Sequence, residues 1–188
     1  MGVNRLLIGI TGASGAPLAV ELLRQMEDIP VETHVILSES GEITLSHECG
    51  MDRNGLAGLC THLYDNRDYG AGPASGSFQA MGMVIIPCSM KTLAGVASGY
   101  CDNLLLRAAD VTMKERRRLI LVPRECPFST LHLRNLTTVS ELGAEIIPPV
   151  PAYYNHPKTI EDVNRQIVRK ILSRFDLGEV PEWTGMMD

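Results

Sequence analysis

The stretch Arg5-Leu6-Leu7-Ile8-Gly9-Ile10-Thr11-Gly12-Ala13-Ser14-Gly15-Ala16-Pro17 decides the fold. Leu6 to Ile10 is an uninterrupted apolar run, the pattern of a strand buried on both faces and so of a parallel sheet covered by helices. The run stops in Thr11-Gly12-Ala13-Ser14-Gly15. Pro17, with its fixed φ and missing N–H, then suits the first turn of a helix expected to reach about Met26. A strand, a glycine turn and a helix start bring backbone N–H groups and the positive end of a helix dipole to one place, which suits a phosphate. A tight strand-to-helix turn would need the same glycines for its backbone angles alone.

Working outward, the alternation of strand and helix continues. Residues 31–38 form a second strand, followed by a helical stretch through Glu48. The pattern weakens over 49–80, where a short helix over 56–63 and a Gly/Pro/Ser-rich loop over 70–77 are expected. A third strand over 83–87 leads into Cys88-Ser89-Met90-Lys91-Thr92 and a helix. Helices are expected over 104–114 and 130–142, with a strand over 119–123 between them. A last strand at 146–147 precedes Pro148, Pro149 and Pro151, and a helix over 159–175 closes the chain. Five strands alternating with helices predict one doubly wound α/β domain over residues 1–188, with a mainly parallel sheet and helices on both faces.

Composition narrows the function. The 188 residues are 45% hydrophobic and 21% charged, an ordinary globular profile. A net charge of −5 gives no basic surface for nucleic acid or an anionic membrane. The basic run Lys114 to Arg118 is interrupted by Glu115 and reads as a solvated helix end. The five cysteines are scattered without a C-x-x-C pair, which argues for free thiols in a cytoplasmic protein and against a zinc site or disulfide framework. No apolar stretch is long enough for a signal peptide or membrane span.

In doubly wound folds, ligands bind beyond the carboxyl ends of the strands, which selects the loops at 11–15, 38–40, 87–92 and 123–128. Ser89 can serve as a helix N-cap or as a donor to an anion or flavin edge. Cys88 has no histidine near it in sequence and reads as a buried spectator. Arg107 and Lys114, seven residues apart, share one helix face. Together with the strand-end Arg124 they could clamp a phosphate, a solvated helix being the plainer alternative. Glu125, between Arg124 and a proline-fixed turn, is placed for proton transfer, with Ser14 expected near it across the sheet edge. Tyr154 and Lys158 fit the Y-x-x-x-K spacing of short-chain dehydrogenases, but Pro157 would break the helix that motif needs. Ala16 and Leu18 also stand where that family has glycines, so the dehydrogenase reading is rejected.

Seven segments in order resemble the UbiX-type flavin prenyltransferases, also described as phenolic-acid or polyprenyl-hydroxybenzoate decarboxylase-associated subunits. They are T-G-A-S-G at 11–15, A-S-G-S-F at 74–78, P-C-S-M-K-T-L at 87–93, R-A-A-D-V at 107–111, K-E-R-R at 114–117, P-R-E-x-P at 123–127 and P-A-Y-Y-N-H-P at 151–157. The resemblance implies a Rossmann-like, flavodoxin-like fold that binds FMN and takes dimethylallyl phosphate as prenyl donor. It implies a metal-independent reaction at N5 and C6 of the reduced flavin, with the product passed to a UbiD-type decarboxylase. It implies a homo-oligomer, often a dodecamer, with active sites at subunit boundaries.

Residue by residue, the resemblance places Gly12, Ala13, Ser14, Ser38, Ser89, Met90, Lys91, Thr92, Arg107 and Arg124 around the flavin. Lys114, Arg124, Tyr154 and Lys170 fall around the donor phosphate; the family pattern has Arg where this chain has Lys170. Ser14 and Glu125 match a proton-shuttling pair, Glu48 an acid near the flavin, and Trp183 an aromatic bordering the prenyl group. The main alternative is an FMN-dependent decarboxylase of the cysteine or aromatic-acid type. Those enzymes use an active-site histidine and a P-A-S-A-N-T motif, where this chain has Pro73-Ala74-Ser75-Gly76-Ser77. A passive flavin carrier is a third possibility, disfavoured by the set of residues matching a phosphate clamp.

Overall fold

The computed structural model describes residues 4–178. Six strands, β1 (Arg5–Ile10), β2 (Glu32–Leu37), β3 (His62–Asp65), β4 (Gly82–Cys88), β5 (Arg118–Pro123) and β6 (Glu145–Ile146), form one sheet in the order β3-β2-β1-β4-β5-β6. Every pairing is parallel. Seven helices connect or cover them: α1 (Ala16–Met26), α2 (Glu39–Cys49), α3 (Arg53–Ala57), α4 (Met90–Ser98), α5 (Leu104–Lys114), α6 (Thr130–Glu141) and α7 (Ile160–Ser173). The doubly wound parallel architecture is therefore as the apolar runs predict.

Because side chains alternate across a strand, each central strand feeds two cores at once. Leu6, Ile8, Ile10, Val84, Ile86, Ile120 and Val122 pack with α1 and α7 on one face. Leu7, Met83, Ile85, Leu119 and Leu121 pack with α4, α5 and α6 on the other. Burying a side chain of this size stabilises by about 1.5–3 kcal/mol, so the central strands are the least replaceable part of the chain. Gly9 is a gap in β1: a Cβ there would lie 3.1 Å from Leu105 and 3.2 Å from Met83, so its absence lets α5 approach the sheet.

The sequence expectation needs correction between 49 and 80. The helix expected over 56–63 is shorter and earlier, at Arg53–Ala57, capped by Asp52, whose carboxylate accepts from Gly55 N at 2.8 Å. Residues 62–65 instead form β3, a sixth strand. It is a half-exposed edge strand with no apolar run, so periodicity gave no signal for it.

Helix starts at the carboxyl edge are fixed by hydroxyl caps. Ser38 accepts from Gly41 N at 3.0 Å and Ser89 from Thr92 N at 3.3 Å. Each satisfies a backbone donor that the first helical turn leaves free. Among the described residues no helix is long and apolar enough to cross a membrane.

Candidate active site

The strand order reverses between β1 and β4, and a crevice opens beyond their carboxyl ends at such a switch point. Thr11 ties the two strand ends together. Its hydroxyl donates to Pro87 O at 2.6 Å and accepts from Ser89 N at 2.9 Å. Ser38 N donates to Ile10 O at 3.0 Å and Arg124 N to Cys88 O at 3.2 Å, so the exits of β1, β2, β4 and β5 are joined into one rim. Thr11 stands in the quoted glycine loop, but a tie to residues nearly eighty positions away leaves no local signal.

The loop after β1 carries the tightest geometry. Gly12 lies against α2 so closely that a Cβ would sit 2.5 Å from that of Ser40. Gly15 has φ 122°, a backbone conformation that side chains rarely adopt. Gly15 N and Ala16 N, the donors that open α1, both go to Glu48 Oε2, at 2.9 and 2.8 Å. The Ser14 side chain adds to the hold on the same carboxylate. Burial pushes the Glu48 carboxyl up, but Ser14, the two N–H groups and the nearby Arg124 outweigh it and hold it below the ordinary carboxylate range. Arg124 also donates from Nε to Ser14 O at 3.2 Å.

Ser14, Glu48 and Arg124 thus form a connected polar cluster, with the apolar Pro17, Leu18 and Pro149 beside it around a cleft of about 440 Å³. A larger hollow of about 570 Å³ lies at the opposite edge, beside the starts of β1 and β2, away from every loop named here. Ser14 is drawn to Glu48, and the exposed Glu125 accepts from Cys126 N at 3.0 Å. Glu48 enters from α2, thirty-four residues away, a pairing that spacing alone does not announce. Cys88 is fully buried and its thiol is pushed up to about 12 by that burial, consistent with a spectator.

Gly12, Ala13, Ser14, Ser38, Ser89, Met90, Lys91, Thr92, Arg124 and Glu125 all fall on this rim, on the loops and first turns that follow β1, β2, β4 and β5. Tyr154 is exposed on a short 3-10 turn, Tyr153–Asn155, between Pro149 and Ile160, both of which line the cleft. No helix joins Tyr154 to Lys158, since α7 starts at Ile160, in keeping with rejection of the dehydrogenase motif.

Three predicted residues stand elsewhere in the chain. Lys114 ends α5 just before β5 begins at Arg118, at the amino edge of the sheet. Arg124 follows the carboxyl end of β5, a strand of six residues, so about 20 Å of strand separates them. Arg107, in the first turn of α5, donates to Ala74 O at 3.2 Å and to Asp110 at 2.7 Å. Lys114 pairs with Glu115, and both lie over Gly76, so Arg107 and Lys114 do share a face, turned to segment 74–78. The basic run is also less solvated than its composition suggests. Arg117 donates to Phe78 O at 2.7 Å and Gly76 O at 2.8 Å, fastening the same segment. Lys170 is exposed in the last turn of α7, toward Phe175, which sits over the start of β4 at Gly82. Trp183 lies outside the described residues.

The donor set fits a flavin nucleotide: helix N-termini and hydroxyls suit a phosphate, and the apolar part of the cleft suits a ring. Comparison with known proteins points the same way. Residues 1–174 match the family model described as Flavoprotein. The chain is 49% identical over 186 residues to flavin prenyltransferase LpdB of Lactiplantibacillus plantarum, covering 97% of this chain and 100% of that one. A dodecameric FMN-dependent UbiX-like decarboxylase from Escherichia coli O157:H7 superimposes with a TM-score of 0.94 at 44% identity, covering 96% of this chain and all of the other. The structure of AnUbiX (PadA1) in complex with FMN and dimethylallyl pyrophosphate gives 0.95 at 42% identity, covering 99% of this chain and all of the other. A nucleotide-fitting rim on a doubly wound sheet, and near-full-length identity of this size, place the chain in the Flavoprotein family, among the UbiX-like flavin prenyltransferases.

Proposed function

We propose that this enzyme joins the dimethylallyl group of dimethylallyl phosphate to N5 and C6 of reduced FMN, making prenylated FMN for a UbiD-type decarboxylase in the cytoplasm. The observation that carries the reading is the Ser14–Glu48–Arg124 cluster, set among the starts of α1, α2 and α4 at the switch point. Reduced FMN supplies the nucleophilic N5 and C6.

The chain's own residues bind and orient. Backbone N–H groups of the Gly12 loop and the hydroxyls of Ser38 and Ser89 offer donors to the flavin phosphate and ring edge, with Met90, Lys91 and Thr92 continuing that rim. Glu48, ionised and tied to the opening of α1, fixes the loop that carries Ser14. Departure of an allylic phosphate leaves a carbocation, so it needs cations on the leaving group and a dry, π-rich surround. Arg124 is a cation at the cleft, and Glu125 beside it moves the proton that the new bonds release. Tyr154 completes the phosphate contacts from its turn. Side-chain cations suffice for this step, and no metal is assigned to it.

Lys114 and Lys170 stand the length of the sheet away from the cleft of their own chain, so we assign them, with Arg107 on the same helix face as Lys114, to sites completed by other copies in a homo-oligomer, a dodecamer by analogy with the E. coli relative. Trp183 is assigned to the prenyl pocket on the family pattern alone.

The test is anaerobic incubation of the protein with reduced FMN and dimethylallyl phosphate, followed by mass spectrometry of the extracted flavin. A flavin heavier by one five-carbon unit is expected. Unmodified flavin with folded, FMN-loaded protein, using either the phosphate or the diphosphate donor, would overturn the reading. Release of CO₂ from a cysteine-containing peptide or aromatic acid by this chain alone would then favour the decarboxylase alternative.

A further inference from the structure

Strand register gathers three more chemistry-bearing side chains on the lower half of the sheet. β2 and β3 pair in parallel with His34 directly opposite His62. Glu32, two residues before His34, projects from the same face. Each offers one ligand atom, and the three atoms lie within 4.8 Å of one another. His34 is only 2% exposed. Its Nδ1 lies 2.8 Å from Tyr64 Oη and its Nε2 3.3 Å from Glu32 Oε2. Its ring stacks on that of His62 at 4.6 Å, and the edge of Phe78 closes in at 5.1 Å. One ring nitrogen is therefore held by a hydroxyl, which can fix the tautomer as the outer partner of a metal-bound histidine does. The other faces the Glu32 carboxylate, with the second imidazole stacked alongside.

We propose that Glu32, His34 and His62 form a binding site for one divalent transition-metal ion of the zinc, cobalt or nickel type, separate from the flavin cleft. Two imidazoles and a carboxylate are a donor set such ions accept, with water free to take a further position. Ligands on zinc sit about 2.0–2.2 Å from the ion, so a pair at tetrahedral angles lies roughly 3.3–3.6 Å apart. A shift of His62, the exposed member, closes that difference, and its exposure also gives the ion its way in. The proton balance closes within the chain. With Nε2–H donating to Glu32, Tyr64 donates to Nδ1; with an ion on Nε2, the proton sits on Nδ1 and Tyr64 accepts. Arg5 is the opposing charge: its Nε donates to Glu32 Oε2 at 2.7 Å and its guanidinium lies over Phe78 at 4.9 Å. The site is therefore weaker than a closed four-ligand zinc centre. Its place explains what the ion would do. Occupation ties the short edge strand β3 to β2 and stiffens the ring of Phe78, which ends the segment fastened by Arg107 and Arg117.

The experiment titrates the tag-free, chelator-treated full chain with Zn²⁺ by calorimetry and with Co²⁺ by visible absorption. One ion per chain is expected, with cobalt bands of four- or five-coordinate intensity and a Zn²⁺-dependent rise in melting temperature. His62→Ala, at an exposed position that spares the core, should lose at least about tenfold in affinity and the thermal shift. His132→Ala, changing the half-buried histidine that completes the cap of α6, should lose neither. Circular dichroism confirms that both variants fold. No saturable binding, or binding unchanged in His62→Ala, would overturn the site, and neither result bears on the flavin chemistry.

Discussion

Glu48 gathers three donors from one loop, and its stabilising effect follows its charge. Its carboxyl is held below the ordinary value of 4.5 in the folded protein, so the ionised form favours folding. That contribution is fully present above 4.5 and is lost as pH falls through the lower, folded value. Glu48→Gln, which keeps an oxygen but not the charge, should cost about 1 kcal/mol at neutral pH, the scale of a helix cap. Melting curves of both proteins from neutral pH downward should converge only as pH falls through that lower, folded value. A gap independent of pH would mean that Glu48 acts through packing. Glu125 sits in a different position: exposed, following Arg124, with only its neighbour's N–H on its carboxylate. Glu125→Gln should therefore leave FMN binding and melting temperature nearly unchanged while turnover drops about 10²–10⁴-fold. Single-turnover prenylation beside an FMN titration separates the two effects, and full activity would remove Glu125 from the proton path.

The elements were legible in proportion to how continuously they are buried. β1, β2, β4 and β5 announce themselves as apolar runs because both faces are covered. β3 does not, since His62-Leu63-Tyr64-Asp65 is polar at both ends and only partly covered between them. The rim loops were legible through their Gly and Ser content. Contacts that cross the sheet, such as Glu48 with Ser14 or His34 with His62, exist only once register is fixed. Thr11 is the clearest of these. Its hydroxyl alone bridges the ends of β1 and β4, with Pro87 O and Ser89 N as partners. Thr11→Val keeps the shape but leaves a buried carbonyl and an N–H unpaired, a loss of about 2–3 kcal/mol. Ser89 would lose the anchor for its backbone, so FMN affinity should fall together with stability. Denaturant unfolding and an FMN titration on the same variant check both, and weakened stability with intact flavin binding would separate the bridge from the site.

At the scale of the whole molecule, one chain does not bring together all the residues proposed for the site. Arg124 and Glu125 stand at the carboxyl edge of β5 and Lys114 at its amino edge, with about 20 Å of strand between them. No local rearrangement shortens a packed central strand, so Lys114 can act on a donor phosphate only in the cleft of another copy. Residue spacing could not reveal this, although the family resemblance implies sites at subunit boundaries: the spacing of Arg107, Lys114 and Arg124 suggests one clamp until the strand before Arg124 is given a length. The consequence is testable without knowing the arrangement of subunits. Lys114→Ala and Glu125→Gln should each be nearly inactive as homogeneous oligomers. Co-expressed in equal amounts, they should regain activity, because a cleft carrying Glu125 can meet a neighbour carrying Lys114. Each requirement is met with a chance of one half, so about a quarter of the sites, and of wild-type turnover, should return under random mixing. If Lys114 served its own chain, every cleft in the mixture would lack one residue or the other. The mixed oligomer would then stay as inactive as its parents, and the assignment of Lys114 to a second copy would fall.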